Sequence, residues 1–288
     1  MENLQVKPEN EIRSQVQKAY GEAITQTACC GGASPGSYAQ AIGYSPAETT
    51  SAGAEVAGAS MGCGNPLSFS EVQAGETVLD LGSGAGFDLL IAAEKVGPEG
   101  QVIGVDMTPE MLATAQANVA ASGYQNIDLR QGIIENLPVD DASVDWVISN
   151  CVINLSPEKE RVFGEISRVL KPGGRFSISD IVVADFPDTL RDNPILYNSC
   201  IAGAISEEEY LAGLETAGLA KVKVNMRAEF TAELLFSDSP SDFFNTTSPD
   251  CCGASTADTQ QNLELFIKEL QGKVQSLNFV GQKPQQGG

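Results

Sequence analysis

The chain has 288 residues, 17 Lys+Arg against 38 Asp+Glu for a formal charge of −21, and 42% hydrophobic residues. That is enough apolar content for a full-sized core with a smaller appendage; no apolar run approaches the roughly 18 residues of a membrane span, and an acidic chain without a Lys/Arg cluster is unsuited to nucleic acid. Histidine is absent, which excludes imidazole bases, imidazole metal ligands and Ser-His or Cys-His dyads, whereas seven cysteines are present: Cys29, Cys30, Cys63, Cys151, Cys200, Cys251 and Cys252.

Residues 1–27 read as a polar helix, with Ile12, Val16, Ala19, Tyr20 and Ala23 at helical spacing. The opening MENLQVKPENEIR has no apolar signal region, so a reducing, cytoplasmic setting is expected, in which seven cysteines mean free thiols rather than a disulfide scaffold. From Cys29 to about Pro66 the chain is rich in Gly, Ala, Ser and Pro, which predicts a mobile loop or lid. Short β-branched runs then alternate with amphipathic stretches, the pattern of βαβ units on a parallel sheet. Strands are expected at 77–81, 101–106, 127–131, around 146–149 and at 175–182. The intervening helices begin near Phe87-Asp88, at Thr108-Pro109 with Thr108 as N-cap, and at Ser156-Pro157, the last one stopped by Lys171-Pro172-Gly173-Gly174. Beyond Asp185 the alternation weakens: Ser206-x-x-Glu209 caps a helix to about Ala217, strands fall at 221–225 and 276–280, a helix at 263–270, and the Ser/Thr/Asp/Gln-rich segment 238–262 reads as mobile surface. The expected division is an N-terminal helix with a Cys-bearing loop (1–75), a cofactor-binding core (76–185) and a substrate-binding region (186–288).

The first strand contains Asp80 and ends in Gly82-Ser83-Gly84-Ala85-Gly86, with Phe87 where a dinucleotide fingerprint places its third glycine. Such a turn brings bare backbone against a ligand, and Asp106, at the end of the second strand, is an acceptor for ribose hydroxyls. An Asp facing the ligand and no clear pyrophosphate cradle suit cationic S-adenosylmethionine better than NAD, which stays the alternative for this turn. Cys151 directly follows the fourth strand, Cys200 lies in the appended segment and Cys63 precedes the core, so three thiols are expected to converge on one mouth. They lack the C-x₂₋₄-C knuckles of structural zinc; they suit a soft, thiophilic centre such as As(III), whose lone pair can attack a methyl group with no proton removed. The competing reading of each is a small buried hydrophobe.

The strings VLDLGSGAGFD, VIGVDMTPEML and VLKPGG resemble the class I SAM-dependent methyltransferases. The resemblance implies a Rossmann-like, mostly parallel seven-stranded sheet with flanking helices and a smaller C-terminal α+β arsenic-binding domain. It implies Asp80, Gly82, Ser83, Gly84 and Gly86 at the methionine end of the cofactor, Asp106 at the ribose and Met107 beside the adenine. In Gly132-Ile133-Ile134-Glu135, Ile133 occupies a position that is acidic in many class I enzymes, so Glu135, with Ile134, stands in for it, and Asn150 completes the cofactor set. With MGCGNP, SNCVINLSPEK and CIAGA added, residues 60–225 look like arsenite methyltransferases. That implies stepwise methylation of arsenite or thiol-bound As(III) in arsenic detoxification and a thiol reductant such as thioredoxin or glutathione; a monomer is expected, though no residue pattern carries that expectation. Cys151 and Cys200 match the arsenic-binding pair; Cys63 joins them as a third ligand or takes up oxidising equivalents. A further cysteine of the family corresponds to Cys29 or Cys30, here taken as Cys30, which would close a disulfide with Cys63 after methylation. Cys251-Cys252 either captures arsenic or sits on a dispensable tail. Two competing readings are a methyltransferase of a small metabolite with structural cysteines, and a thiol-rich arsenic-binding protein without a working cofactor site.

Overall fold

Apolar runs form β1 (Thr77–Leu81), β2 (Gln101–Asp106), β4 (Val144–Asn150) and β5 (Leu170–Val183), and the partly buried β3 (Ile127–Gln131) adds an edge; the five pair in parallel. The computed structural model describes residues 8–25, 37–187, 190–191, 193–229 and 272–285. Two more strands, β6 (Ala220–Glu229) and β7 (Val274–Gln282), extend the same sheet to seven in the order β3-β2-β1-β4-β5-β7-β6, with β7 antiparallel to both neighbours. The expected mostly parallel, seven-stranded Rossmann-like sheet is therefore present. Residue 185 marks no break in it, because Leu277 and Phe279 of β7 are fully buried against the core beside β5.

Ahead of the sheet come α1 (Glu9–Thr25), α2 (Ser37–Ala41), α3 (Pro46–Ala52) and α4 (Ala54–Gly58). The last three correct the reading of 29–66 as a loop. Ser45 and Glu48 form a reciprocal capping box with Pro46 in the first turn of α3, and the small residues let Ala39, Ile42, Ala52 and Ala57 pack closely on the core. The helices α5 (Phe87–Val96), α6 (Pro109–Ser122) and α7 (Lys159–Val169) connect the parallel strands, followed by α8 (Pro194–Asn198) and α9 (Glu207–Thr216). Alternate residues of β1 face opposite layers: Val78 packs with α2, α3 and α5, while Leu79 and Leu81 pack with α7 and α9.

Two helix boundaries differ from expectation. Thr108 occupies the N-cap of α6, yet its side chain makes no capping bond; Asp106 takes up the Thr108 N–H instead. Ser156 does not open α7, since its hydroxyl is directed to Glu135, and Glu158 is the N-cap. The helix before Lys171–Gly174 does end there, at Val169, and these four residues open β5, where Gly173 and Gly174 exchange backbone hydrogen bonds with Lys283. From β1 the chain winds toward β2 and β3, and from β4 toward β5, so β1 and β4 flank the switch point at whose carboxyl edge open α/β sheets bind ligands.

Candidate active site

At the end of β1, Gly82 adopts a φ of 64°, and a side chain there would run into Val152. The turn from Gly82 to Gly86 thus lies bare at the sheet edge and is anchored by Asp106, whose two carboxylate oxygens accept the N–H of Gly84 at 2.9 Å and of Thr108 at 2.8 Å. Lone pairs remain on those oxygens for further donors. Asp80 is 2% exposed and accepts no hydrogen bond among the described residues. Burial, with the charges of Asp88 and Asp106 nearby, holds its carboxyl well above the usual range. Burial also lifts Asp88 to about 6, against hydrogen bonds from Tyr44 (2.7 Å) and Asn150 (3.3 Å), and raises Asp106 against its backbone donors. Among the described residues none of the three pairs with a Lys or Arg, so the pocket they line with Met107, Met111 and Ile134 is an anionic hole with an apolar flank. The buried Ser83 hydroxyl, also on the pocket wall, has no hydrogen-bond partner among the described residues. These features fit S-adenosylmethionine, which brings positive charge, hydroxyls and a flat ring.

Glu135 lines the same pocket and is buried, but its Oε1 accepts from Ser156 at 2.6 Å and from Arg13 of α1 at 3.1 Å. Arg13 also grips Glu158, and Gln17 donates to the Met107 carbonyl at 2.8 Å. Helix α1, read from sequence only as packing on the body, therefore supplies Arg13, Val16 and Tyr20 to the pocket wall.

Cys63, Cys151 and Cys200 share one buried cluster. Cys151 and Cys200 both hold positive φ, 61° and 63°, a conformation that costs on the order of 1–2 kcal/mol for an L side chain and clusters at functional sites. Cys200 stays a buried thiol, with Sγ 2.7 Å from the Cys151 carbonyl and 4.0 Å from the Tyr20 hydroxyl. Burial, then the charge of Asp180, keeps this thiol's pKa high. Cys63 and Cys151 form a disulfide with Cα atoms 5.7 Å apart, which corrects the expectation of free thiols at these two positions; the expected closure of Cys63 with Cys30 after methylation involves a residue outside the described ones. Cys29, Cys30, Cys251 and Cys252, with the helix at 263–270, lie outside the described residues. Sequence reasoning missed Asp180: one of its oxygens and the sulfurs of Cys63 and Cys151 lie within 4.8 Å of one another. Burial pushes Asp180 up to about 7, against bonds from Ile181 N–H, Asn154 and Tyr210. An acid in the middle of the apolar run Ile178–Val183 was the available signal.

The family model described as "Methyltransferase domain" matches residues 73–218. An arsenite methyltransferase of Halobacterium salinarum is 48% identical over 204 residues, covering 70% of this chain and 52% of that protein. One of Aquipseudomonas alcaligenes is 38% identical over 218 residues, covering 70% and 60%. The chain thus spans between half and two thirds of the length of these curated relatives. The crystal structure of an arsenic(III) S-adenosylmethionine methyltransferase from Chlamydomonas reinhardtii superposes with a TM-score of 0.62 at 31% identity, covering 85% of this chain and 75% of that one. No helix among the described residues is long and apolar enough to cross a membrane.

Proposed function

The chain belongs to the methyltransferase-domain family and, within it, to the arsenite methyltransferases, and on that premise we propose that it methylates As(III) held by its own cysteine thiolates. The observation that carries this reading is the convergence of Cys63, Cys151 and Cys200 at the end of β4, beside the anionic pocket at the end of β1. S-adenosylmethionine, when bound, supplies an electrophilic methyl on a sulfonium. Asp80 balances the positive charge, Gly82, Ser83, Gly84 and Gly86 form the floor, Asp106 takes the ribose hydroxyls, and Met107, Ile134 and the stem of Glu135 flank the ring.

Cys151 and Cys200, joined by reduced Cys63, hold the arsenic substrate. Each As–S bond forms as a thiol displaces hydroxide or another thiol, and the thiol proton leaves with that group. The arsenic lone pair then takes the methyl, with S-adenosylhomocysteine leaving and no proton lost, and the two electrons that arsenic puts into the new As–C bond are returned as Cys63 and Cys151 leave it as a disulfide and a hydroxide or thiolate takes their place, so a chain with no histidine needs no base for the bond-forming step. Positioning and exclusion of water carry the rate. With Cys63 and Cys151 oxidised, two of the three sulfurs are occupied by each other, and a thiol reductant of the thioredoxin or glutathione class must act before arsenic is captured. This chemistry suits a monomer in a reducing, cytoplasmic setting and a role in arsenic detoxification. The region 186–288 brings Cys200 to the acceptor; Cys30 and the Cys251-Cys252 pair are candidates for passing electrons or arsenic inward.

The test is anaerobic incubation of reduced protein with methyl-labelled S-adenosylmethionine, arsenite and a thiol, followed by separation of arsenic species. Labelled methylarsenicals that disappear in Cys151→Ser are the expected result. Cofactor binding without label on arsenic would overturn the acceptor and leave the fold in place.

A further inference from the structure

The sequence groups Asn150 with the cofactor residues, but its hydrogen bonds run to the thiol loop. Its Oδ1 accepts the N–H of Cys63 at 2.9 Å and of Gly64 at 3.3 Å. Its Nδ2 donates to the Gly64 carbonyl at 2.7 Å, the Tyr44 hydroxyl at 2.9 Å and Asp88 at 3.3 Å. A side-chain amide offers two lone pairs and two hydrogens, so nothing of this one is left for a ligand. The rest of the loop is pinned by the Tyr38 hydroxyl on the Gly62 carbonyl at 2.8 Å and the Ser276 hydroxyl on the Cys63 carbonyl at 2.7 Å. The fit is close: a side chain at Gly62 would run into the Asn150 amide, and one at Gly64 into Ser179. An amide that both donates to and accepts from one short stretch admits a single loop conformation, and the residue that follows Asn150 is Cys151 itself.

We propose that Asn150 is a positioning residue that sets Cys63 against Cys151, making the two a preorganised pair. Its value to arsenic capture rests on the arsenite reading above; the pairing itself does not. The step is an exchange with a low-molecular-weight disulfide, RSSR. The thiolate of one cysteine attacks RSSR and releases one RS⁻; the second cysteine displaces the other RS⁻ and closes Cys63–S–S–Cys151. Two electrons pass to the reagent, and the two thiol protons leave on two RSH.

The experiment equilibrates the full-length protein in glutathione buffers of graded ratio, without arsenic or S-adenosylmethionine. Differential alkylation and peptide mapping then measure the Cys63–Cys151 linkage and give its effective concentration. In Asn150→Ala the effective concentration is expected to fall about tenfold or more, which is about 30 mV for this two-electron couple. Gly62→Ala, which displaces the intact Asn150, is expected to act in the same direction, and Tyr38→Phe, which removes one anchor, to lower it about threefold. An unchanged linkage equilibrium in Asn150→Ala, with cofactor affinity lost instead, would overturn the proposal. Should that variant fail to fold, wild-type equilibria in both Gly62→Ala and Tyr38→Phe would overturn it equally. A shifted equilibrium in a protein that never methylates arsenic would leave the positioning role standing and remove the arsenite reading alone.

Discussion

At the end of β1, Asp80, Asp88 and Asp106 lie buried with no cation beside them among the described residues, whereas at the end of β4 the backbone of the 62–64 loop is bonded on every side by Tyr38, Asn150 and Ser276. One half of the site is electrostatically incomplete until a ligand arrives; the other is complete before any substrate does. On the proposed function, the difference follows from what each half does. A cofactor that enters and leaves can offset buried charge each time it binds, while thiols that share one centre must already stand in place.

The sharpest separation of the halves is Cys200→Ser, expected to lower methyl transfer to arsenic by at least about a hundredfold while cofactor affinity, measured by calorimetry, stays unchanged. Loss of both would merge the halves. Asp80→Asn should do the opposite: S-adenosylmethionine binding weakens by about 1.5–3 kcal/mol, and the melting temperature of the ligand-free protein at pH 7 rises, because an uncompensated carboxyl is gone. A lower melting temperature would mean that Asp80 has a cationic partner.

The pH dependence of stability offers a smaller effect. Asp88 and Asp180 have folded pKa values raised to about 6 and about 7 from 3.8, so the native state holds their protons longer than the unfolded chain does. Their contribution is fully present below the unfolded value and is lost as pH rises through about 6 and about 7, and stability to urea should fall from pH 5 to pH 8. Asp180→Asn, whose amide can still meet Tyr210, should flatten the upper part of that fall; an unaltered slope would assign it to other groups. The smallest effect compares two variants that both lack the disulfide: Cys151→Gly should be more stable than Cys151→Ala by about 1 kcal/mol, because only glycine accepts a φ of 61° without strain.

The fold of the half proposed for the cofactor was largely legible in the sequence because it is contiguous. Strands β1, β2 and β3 fall where the apolar runs place them, and Gly82–Gly86 with Asp106 sit where a strand–turn–helix pattern puts them. Among the thiols only Cys151 was placed by local pattern, because it directly follows β4; Cys63 and Cys200 join it in one buried cluster from outside the strand–helix alternation. Their partners were not, since Tyr38 reaches Gly62, Asn150 and Ser276 reach Cys63, and Asp180 approaches both sulfurs only through long-range packing, which no local spacing encodes. Arg13 on Glu135 is a pairing of the same kind, 122 residues apart. Helices α2 to α4 failed for a different reason: composition outweighed the Ser45–Glu48 capping box, which was there to be read.

Ser276, the last anchor of the thiol loop, comes from the antiparallel strand β7 and lies 213 residues after Cys63. A ribosome adding about 5–20 residues per second spends roughly 10–40 s between the two. Throughout that interval the nascent chain carries its cysteines without the final tether that fixes Cys63, and the acceptor half can close only once nearly all of the sequence considered has been translated.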